Sequence, residues 1–228
     1  LKRLCHPYSN CLNSRLVINQ ITGNLNRIPQ YESADIKRNH EATTLNLKSY
    51  PWNFDIVPCF ITREDEDGQQ FYLIPDGKGN WKPTDPRIDQ SRISRINQYH
   101  NGIVLPTIRL MKYWQRRGTM PSMSSYLLEC ILLEFYELRQ NSTSYIDEEF
   151  IEFTEYLQDR ILYEVTDPKG LQGNINLLNS YEVQRISQRA KHDFERSSLA
   201  REYEHRKNFP SAIELWNDIL GDQFPRYC

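Results

Sequence analysis

Asp55 lies in Phe54-Asp55-Ile56-Val57-Pro58-Cys59-Phe60, an aspartate set in an apolar, strand-like run. A carboxylate buried in such a run is costly unless it is paired or binds a cation, which makes Asp55 a candidate metal ligand. The plainer alternative is a strand-edge aspartate bonded to neighbouring backbone or to an arginine. Alternation by two places Asp55 on one face with Val57 and Cys59, and Phe54 and Ile56 on the other. A second constellation is Leu105 to Arg117. At about 100° per residue, Arg109, Lys112 and Arg116 fall within about 60° of one another, beside the apolar face of Leu105, Ile108, Met111 and Trp114. Such a cationic stripe suits a polyanion such as a triphosphate, or is an ordinary solvated face. A third follows at once. Ser122, Ser124 or Ser125 caps a helix whose first N–H groups make a ready phosphate site. Tyr126 could offer an aromatic face to a purine. Serines also simply cap helices; what favours a site is that stripe and cap are a few residues apart.

Two textures of sequence must position these groups. From Arg15 to about Trp81 the chain is strand-like and turn-rich, with strands expected at Arg15–Asn19, Thr43–Leu47, Phe54–Thr62 and Gln70–Pro75, and a polar hairpin loop turning at Asp67-Gly68. From Ser91 onward the helical period takes over, with helices expected at about 91–117, 122–140, 147–164, 181–206 and 210–220. Pro106 should split the first of these near Asn101-Gly102. The helix near 147–164 has an acidic face of Asp147, Glu148, Glu149, Glu152, Glu155 and Asp159. The helix near 181–206 mixes Arg185, Arg189, Lys191, Arg196 and Arg201 with Asp193, Glu195, Glu202 and Glu204. Both faces read as solvated.

Composition narrows the function classes. The 228 residues are enough for one large domain or two small ones, and 28 basic against 30 acidic side chains leave a net charge of -2. That balance removes the whole-chain argument for nucleic acid or an anionic membrane as partner, so any basic site is local. No apolar run approaches the roughly 20 residues of a membrane helix; the best, Tyr126 to Tyr136, is broken by Glu129 and Glu134. The five cysteines, Cys5, Cys11, Cys59, Cys130 and Cys228, are odd in number and scattered, which reads as reduced thiols in a cytoplasmic protein. Cys5, His6 and Cys11 lack a partner pair at zinc spacing. The chain opens on Leu1, and Leu1 to Tyr8 reads as a helix end stopped by Pro7, without the order of a secretory signal. The expectation is that a further segment lies N-terminal.

In order, these pieces resemble the cGAS/DncV-like nucleotidyltransferases of bacteria, the CD-NTase family, which makes cyclic oligonucleotide second messengers in anti-phage defence. The resemblance is carried by Asp55-Ile-Val-Pro-Cys-Phe, Trp81-Lys-Pro-Thr-Asp-Pro, Leu110-Met-Lys-Tyr-Trp and Ser124-Ser-Tyr-Leu-Leu-Glu. It continues through Thr166-Asp-Pro-Lys with Gly173-Asn-Ile, and closes on Ala212 to Pro225. It runs from about Asp35 to the C-terminus.

The resemblance implies an α+β fold: a polymerase-β-like nucleotidyltransferase core, mostly antiparallel sheet, followed by a helical lobe, with residues 1–90 the C-terminal part of the core and 91–228 the lobe. The nucleotide would lie in the cleft between them. It implies Mg²⁺ or Mn²⁺ as cofactor and nucleoside triphosphates as partners, with a 3′- or 2′-hydroxyl attacking an α-phosphate. Asp55 would be the third metal-binding carboxylate, Lys112 and Ser125 would hold the donor triphosphate, and Tyr126 would stack on a base. Arg109 and Ser124 join them on geometry alone. The family's Gly-Ser helix start and its Asp-x-Asp pair have no counterpart here: no Gly-Ser occurs, and the only Asp-x-Asp, Asp65 to Asp67, follows Asp55 in a charged loop. Two-metal chemistry needs carboxylates on both ions. The expectation is therefore that this chain alone is inactive, and that a missing N-terminal segment or a complementing chain supplies them. The alternative is a catalytically inactive nucleotide-binding or interaction module. A relative that extends RNA is disfavoured because no extended basic groove is evident.

Overall fold

A computed structural model describes residues 13–50, 52–61, 71–221 and 224–225. The chain divides into two compact units, Leu1–Pro86 and Arg87–Cys228. Helix α1 (Ser14–Leu25) opens the first unit, with the Asn13 side chain accepting the Arg15 N–H at its start. This corrects the strand expected at Arg15–Asn19. Its β-branched residues serve a helix because Val17 and Ile18 are buried together, while Leu16 points to solvent at 64% exposure. Thr22 ties the helix to the sheet through a 2.9 Å hydrogen bond with Thr43. Tertiary burial has overridden local β preference.

Strands β1 (Asp35–Arg38), β2 (Thr43–Asn46) and β3 (Asn53–Ile56) form an antiparallel sheet in that order, with Thr44 opposite Asp55 and Leu45 opposite Phe54. Strands β4 (Phe60–Ile61), β5 (Tyr72–Pro75) and β6 (Trp81–Thr84) form a second antiparallel sheet. The β5–β6 turn is organised by Asp76, whose carboxylate accepts the backbone N–H groups of Lys78, Gly79 and Asn80 at 2.8 to 3.0 Å. Gly79 there has φ +113°, and a Cβ on it would lie 3.0 Å from the Asn13 side chain. Only glycine lets this turn approach the α1 cap, where the Gly79 carbonyl accepts the Ser14 N–H. The hairpin loop at Asp67-Gly68, the Asp65–Asp67 pair, the helix end at Leu1–Tyr8 and Cys5, His6 and Cys11 lie outside the described residues.

The second unit is helical: α2 (Pro86–Tyr99), α3 (Val104–Gln115), α4 (Ser125–Glu137), α5 (Ile146–Arg160), α6 (Ser180–His205) and α7 (Phe209–Leu220). The first expected helix is two, broken at Asn101 and Gly102, both at positive φ. Pro106 sits in the first turn of α3, where no intrahelical N–H bond is lost. The apolar helix α4 runs through the core, and Trp114, Tyr136, Phe150 and Phe153 are completely buried. Two residues expected on solvated faces lie inside instead. Glu149 is fully buried, accepting 2.8 Å bonds from Arg139 and from the Thr143 N–H. Asp193, also fully buried, accepts from the Trp114 indole at 2.6 Å and from Arg189 at 2.7 Å. Among the described residues no helix is long and apolar enough to cross a membrane. Cys59 and Cys130 are free thiols, exposed and buried respectively.

Candidate functional site

Among the described residues, Asp55 stands on β3 at the edge of its sheet and is exposed rather than buried. The apolar setting read from its neighbours is thus not an interior: Phe54 and Val57 are themselves 48% and 42% exposed. The Thr44 hydroxyl, directly across the ladder, donates to Asp55 Oδ1 at 2.5 Å. That bond fixes the carboxylate on the sheet face with one oxygen engaged. Magnesium binds through one or two protein carboxylates, with water and substrate phosphates completing its shell. Asp55 fits as one such ligand. Among the described residues, no group of three His, Cys, Asp or Glu side chains could hold a metal ion alone.

The other candidates gather on α3 and the head of α4. Arg109 and Arg116 project into solvent from α3. Lys112, between them, pairs with Glu129 of α4 at 2.5 Å. Glu129 follows Ser125 by four residues, so the Lys112 ammonium is held about one helical turn, roughly 6 Å along the axis, from the α4 terminus. Ser124 is the N-cap, its hydroxyl accepting the Tyr126 N–H at 3.3 Å, and Ser125 is the first helical residue. The loop before this cap is tied back to α3, because the Gln115 side-chain amide donates to the Met123 carbonyl. The structure therefore brings Lys112, Ser124, Ser125 and Tyr126 into one neighbourhood of the helical unit, with Arg109 on the same exposed stripe.

Tyr126 enters a polar cluster beneath that terminus. Its hydroxyl lies 3.0 Å from Asp167 Oδ1 and 3.3 Å from Asp89 Oδ1, and it accepts from the Lys169 ammonium. Lys169, with 3% of its side chain exposed, also bonds Asp89 Oδ2 at 3.0 Å and lies 4.1 Å from the centroid of the Tyr126 ring. Burial opposes the charged form of Asp167, but the Lys169 N–H, the Tyr126 hydroxyl and the Lys169 charge together hold its carboxyl below the usual range. Burial, with Cys130 and the two carboxylates adding to it, pushes the Tyr126 phenol far above its ordinary value, so it stays a neutral donor. Burial likewise pushes the nearby Cys130 thiol up to about 11.

The residues missed from sequence are Asp89, Lys169, Asp167 and Glu129. Thr166-Asp167-Pro168-Lys169 carries part of the resemblance but no assigned role; Asp89, far upstream, gives no local signal. An apolar cavity of about 530 Å³ lies elsewhere in the helical unit, lined by Leu110, Tyr113, Trp216 and Phe224 among others, and by none of the candidate residues.

No family model matches the chain. A probable cyclic nucleotide synthase of Bacillus cereus (strain VD146) is 45% identical over 216 residues, which cover 95% of this chain and 65% of that protein. The CdnC of E. coli MS115-1, solved with ATP, superposes with a TM-score of 0.73 over 93% of this chain and 74% of its own, at 17% identity. In sequence the chain is similar to cyclic nucleotide synthases, and its fold is that of the CdnC and DncV structures. E. coli DncV in its 3′-deoxy-GTP form has a TM-score of 0.74 over 93% of this chain and 58% of its own, at 14% identity. A cyclic AMP-AMP-AMP synthase of Acinetobacter sp. is 25% identical over 84% of this chain and 56% of that protein. The chain thus spans 65% and 56% of the lengths of the curated relatives it matches. The α+β nucleotidyltransferase fold expected from the motifs is the one observed.

Proposed function

We propose that this chain is part of a nucleotidyltransferase that synthesises a cyclic oligonucleotide from nucleoside triphosphates. The single observation that carries this reading is the 45% identity, over 95% of the chain, to a probable cyclic nucleotide synthase. The chemistry at the head of α4 supports it. There Ser125 and the first free N–H groups of the helix would bind phosphate oxygens, and Lys112 would exchange part of its bond to Glu129 for the triphosphate charge. Arg109 and Ser124 extend that set, and Tyr126 takes the base. Asp55 would serve as one ligand of the magnesium or manganese ion. A bound divalent ion supplies polarisation of the α-phosphate and a lowered pKa for the attacking hydroxyl. The acceptor 3′- or 2′-hydroxyl forms the new P–O bond as the bond to pyrophosphate breaks, and its proton leaves to solvent.

The remaining carboxylates come from a segment outside this chain or from a complementing chain. The signalling role in anti-phage defence and the cytoplasmic setting belong to the same proposal. The test is to incubate the complete native protein with ATP, GTP and Mg²⁺, measuring pyrophosphate release and identifying the product by mass. A cyclic oligonucleotide is expected. Nucleotide binding without pyrophosphate release would overturn the synthase reading in favour of an inactive nucleotide-binding module.

A further inference from the structure

We infer that Lys169, Asp167 and Asp89 are positioning residues that clamp Tyr126, so that its ring is held in place to meet the base of a bound nucleoside triphosphate. This rests on the reading of the α4 terminus given above. The cluster joins three separate segments: Asp89 from α2, Tyr126 from α4, and the 165–175 loop. That loop is built to hold still. The Asp167 carboxylate accepts the backbone N–H groups of Lys169, Leu171 and Gln172 at 3.1 to 3.2 Å. Its own N–H bonds the Gly173 carbonyl at 2.7 Å, and Gly170 and Gly173 both take φ +68°.

Stability alone does not account for this arrangement, since an apolar plug of the same volume would serve the core about as well as a buried ion cluster. What the cluster supplies is orientation. A tyrosine has only two side-chain torsions, and both ends of this one are held, the backbone by the capped first turn of α4 and the hydroxyl by Asp167 and Lys169. The ammonium sits at the hydroxyl end of the ring, 4.1 Å from the centroid, and so holds the ring by its oxygen. The ordering cost of the platform is therefore met before nucleotide arrives. The phosphate contacts assigned to Lys112 and Ser125 do not pass through the clamp.

That separation gives the test. The dissociation constants of ATP and of inorganic tripolyphosphate are measured by calorimetry on the full chain. Lys169→Met is expected to weaken ATP binding roughly five- to tenfold while changing tripolyphosphate binding less than about twofold. Tyr126→Phe, which keeps the ring and loses its anchor, should shift ATP binding in the same direction, and the double variant should be no worse than Lys169→Met. Equal weakening of both ligands, or of neither, would overturn the inference, because a merely structural role predicts one of those two patterns. If Lys169→Met does not fold, Tyr126→Phe decides: unchanged ATP binding rejects the clamp. Ser125→Ala separates this from failure of the underlying reading. It should weaken both ligands, and if it weakens neither, the phosphate site itself is wrong and the clamp falls with it.

Discussion

Asp55 of the strand unit and three carboxylates of the helical unit stand in opposite surroundings. In the helical unit Glu149, Asp167 and Asp193 are buried and fully partnered, inside an interior that includes Trp114, Tyr136 and Phe150. In the strand unit Asp55 stands exposed on an edge strand with Thr44 as its hydrogen-bond partner, among Trp52, Phe54 and Val57, which are 55%, 48% and 42% exposed. One unit uses carboxylates to fix its interior. The other displays a carboxylate whose loss should barely disturb the fold. Substitutions ought therefore to separate stability, concentrated in the helices, from chemistry at β3.

The largest expected effect is Trp114→Ala, which opens a cavity and takes the indole partner from buried Asp193; it should cost about 4 kcal/mol in urea unfolding. The strand unit's Phe54→Ala should cost less than about 1 kcal/mol, and equal losses would break the contrast. Next is Asp167→Asn, expected to cost about 2 kcal/mol at neutral pH. The sign with pH follows from a folded pKa held below the unfolded value. The stabilisation is present above about pH 4 and is lost as pH falls through the folded value, so the gap between wild type and variant should close on acidification. A gap that persists below about pH 2 would remove the carboxylate account. Smaller still is the effect of Lys112→Ala on folding, under about 1 kcal/mol for a partly exposed pair, alongside a roughly tenfold rise in nucleotide KM. An unchanged KM would sink its phosphate role.

What the sequence made legible was what local pattern controls. The helical period placed α4 to α7 close to their observed limits, and Asn101-Gly102 marked the break between α2 and α3. The failures came where distant packing decided. The run at Arg15–Asn19 is β-prone, yet it is a helix because Val17 and Ile18 are buried as one face. Strands β1 and β6 were unread because Asp35–Arg38 is highly charged and Trp81–Thr84 contains Pro83. At the site, Lys112, Ser124, Ser125 and Tyr126 were found together because they lie within one short stretch. The Glu129 pairing and the Asp89 and Lys169 contacts to Tyr126 were not, since a side-chain cluster spanning Asp89 to Lys169 leaves no local periodicity. Asp55 was picked out for the wrong physical reason, burial, when its distinguishing feature is exposure on an edge strand.

The central claim, that an exposed β3 carboxylate serves nucleotidyl transfer, is met most directly by the Asp55→Asn variant of the complete protein, assayed for pyrophosphate release from ATP and GTP with Mg²⁺. The expected result is loss of turnover, by at least about a hundredfold, with the urea midpoint within error of wild type. Turnover at the wild-type rate in that variant would contradict the assignment.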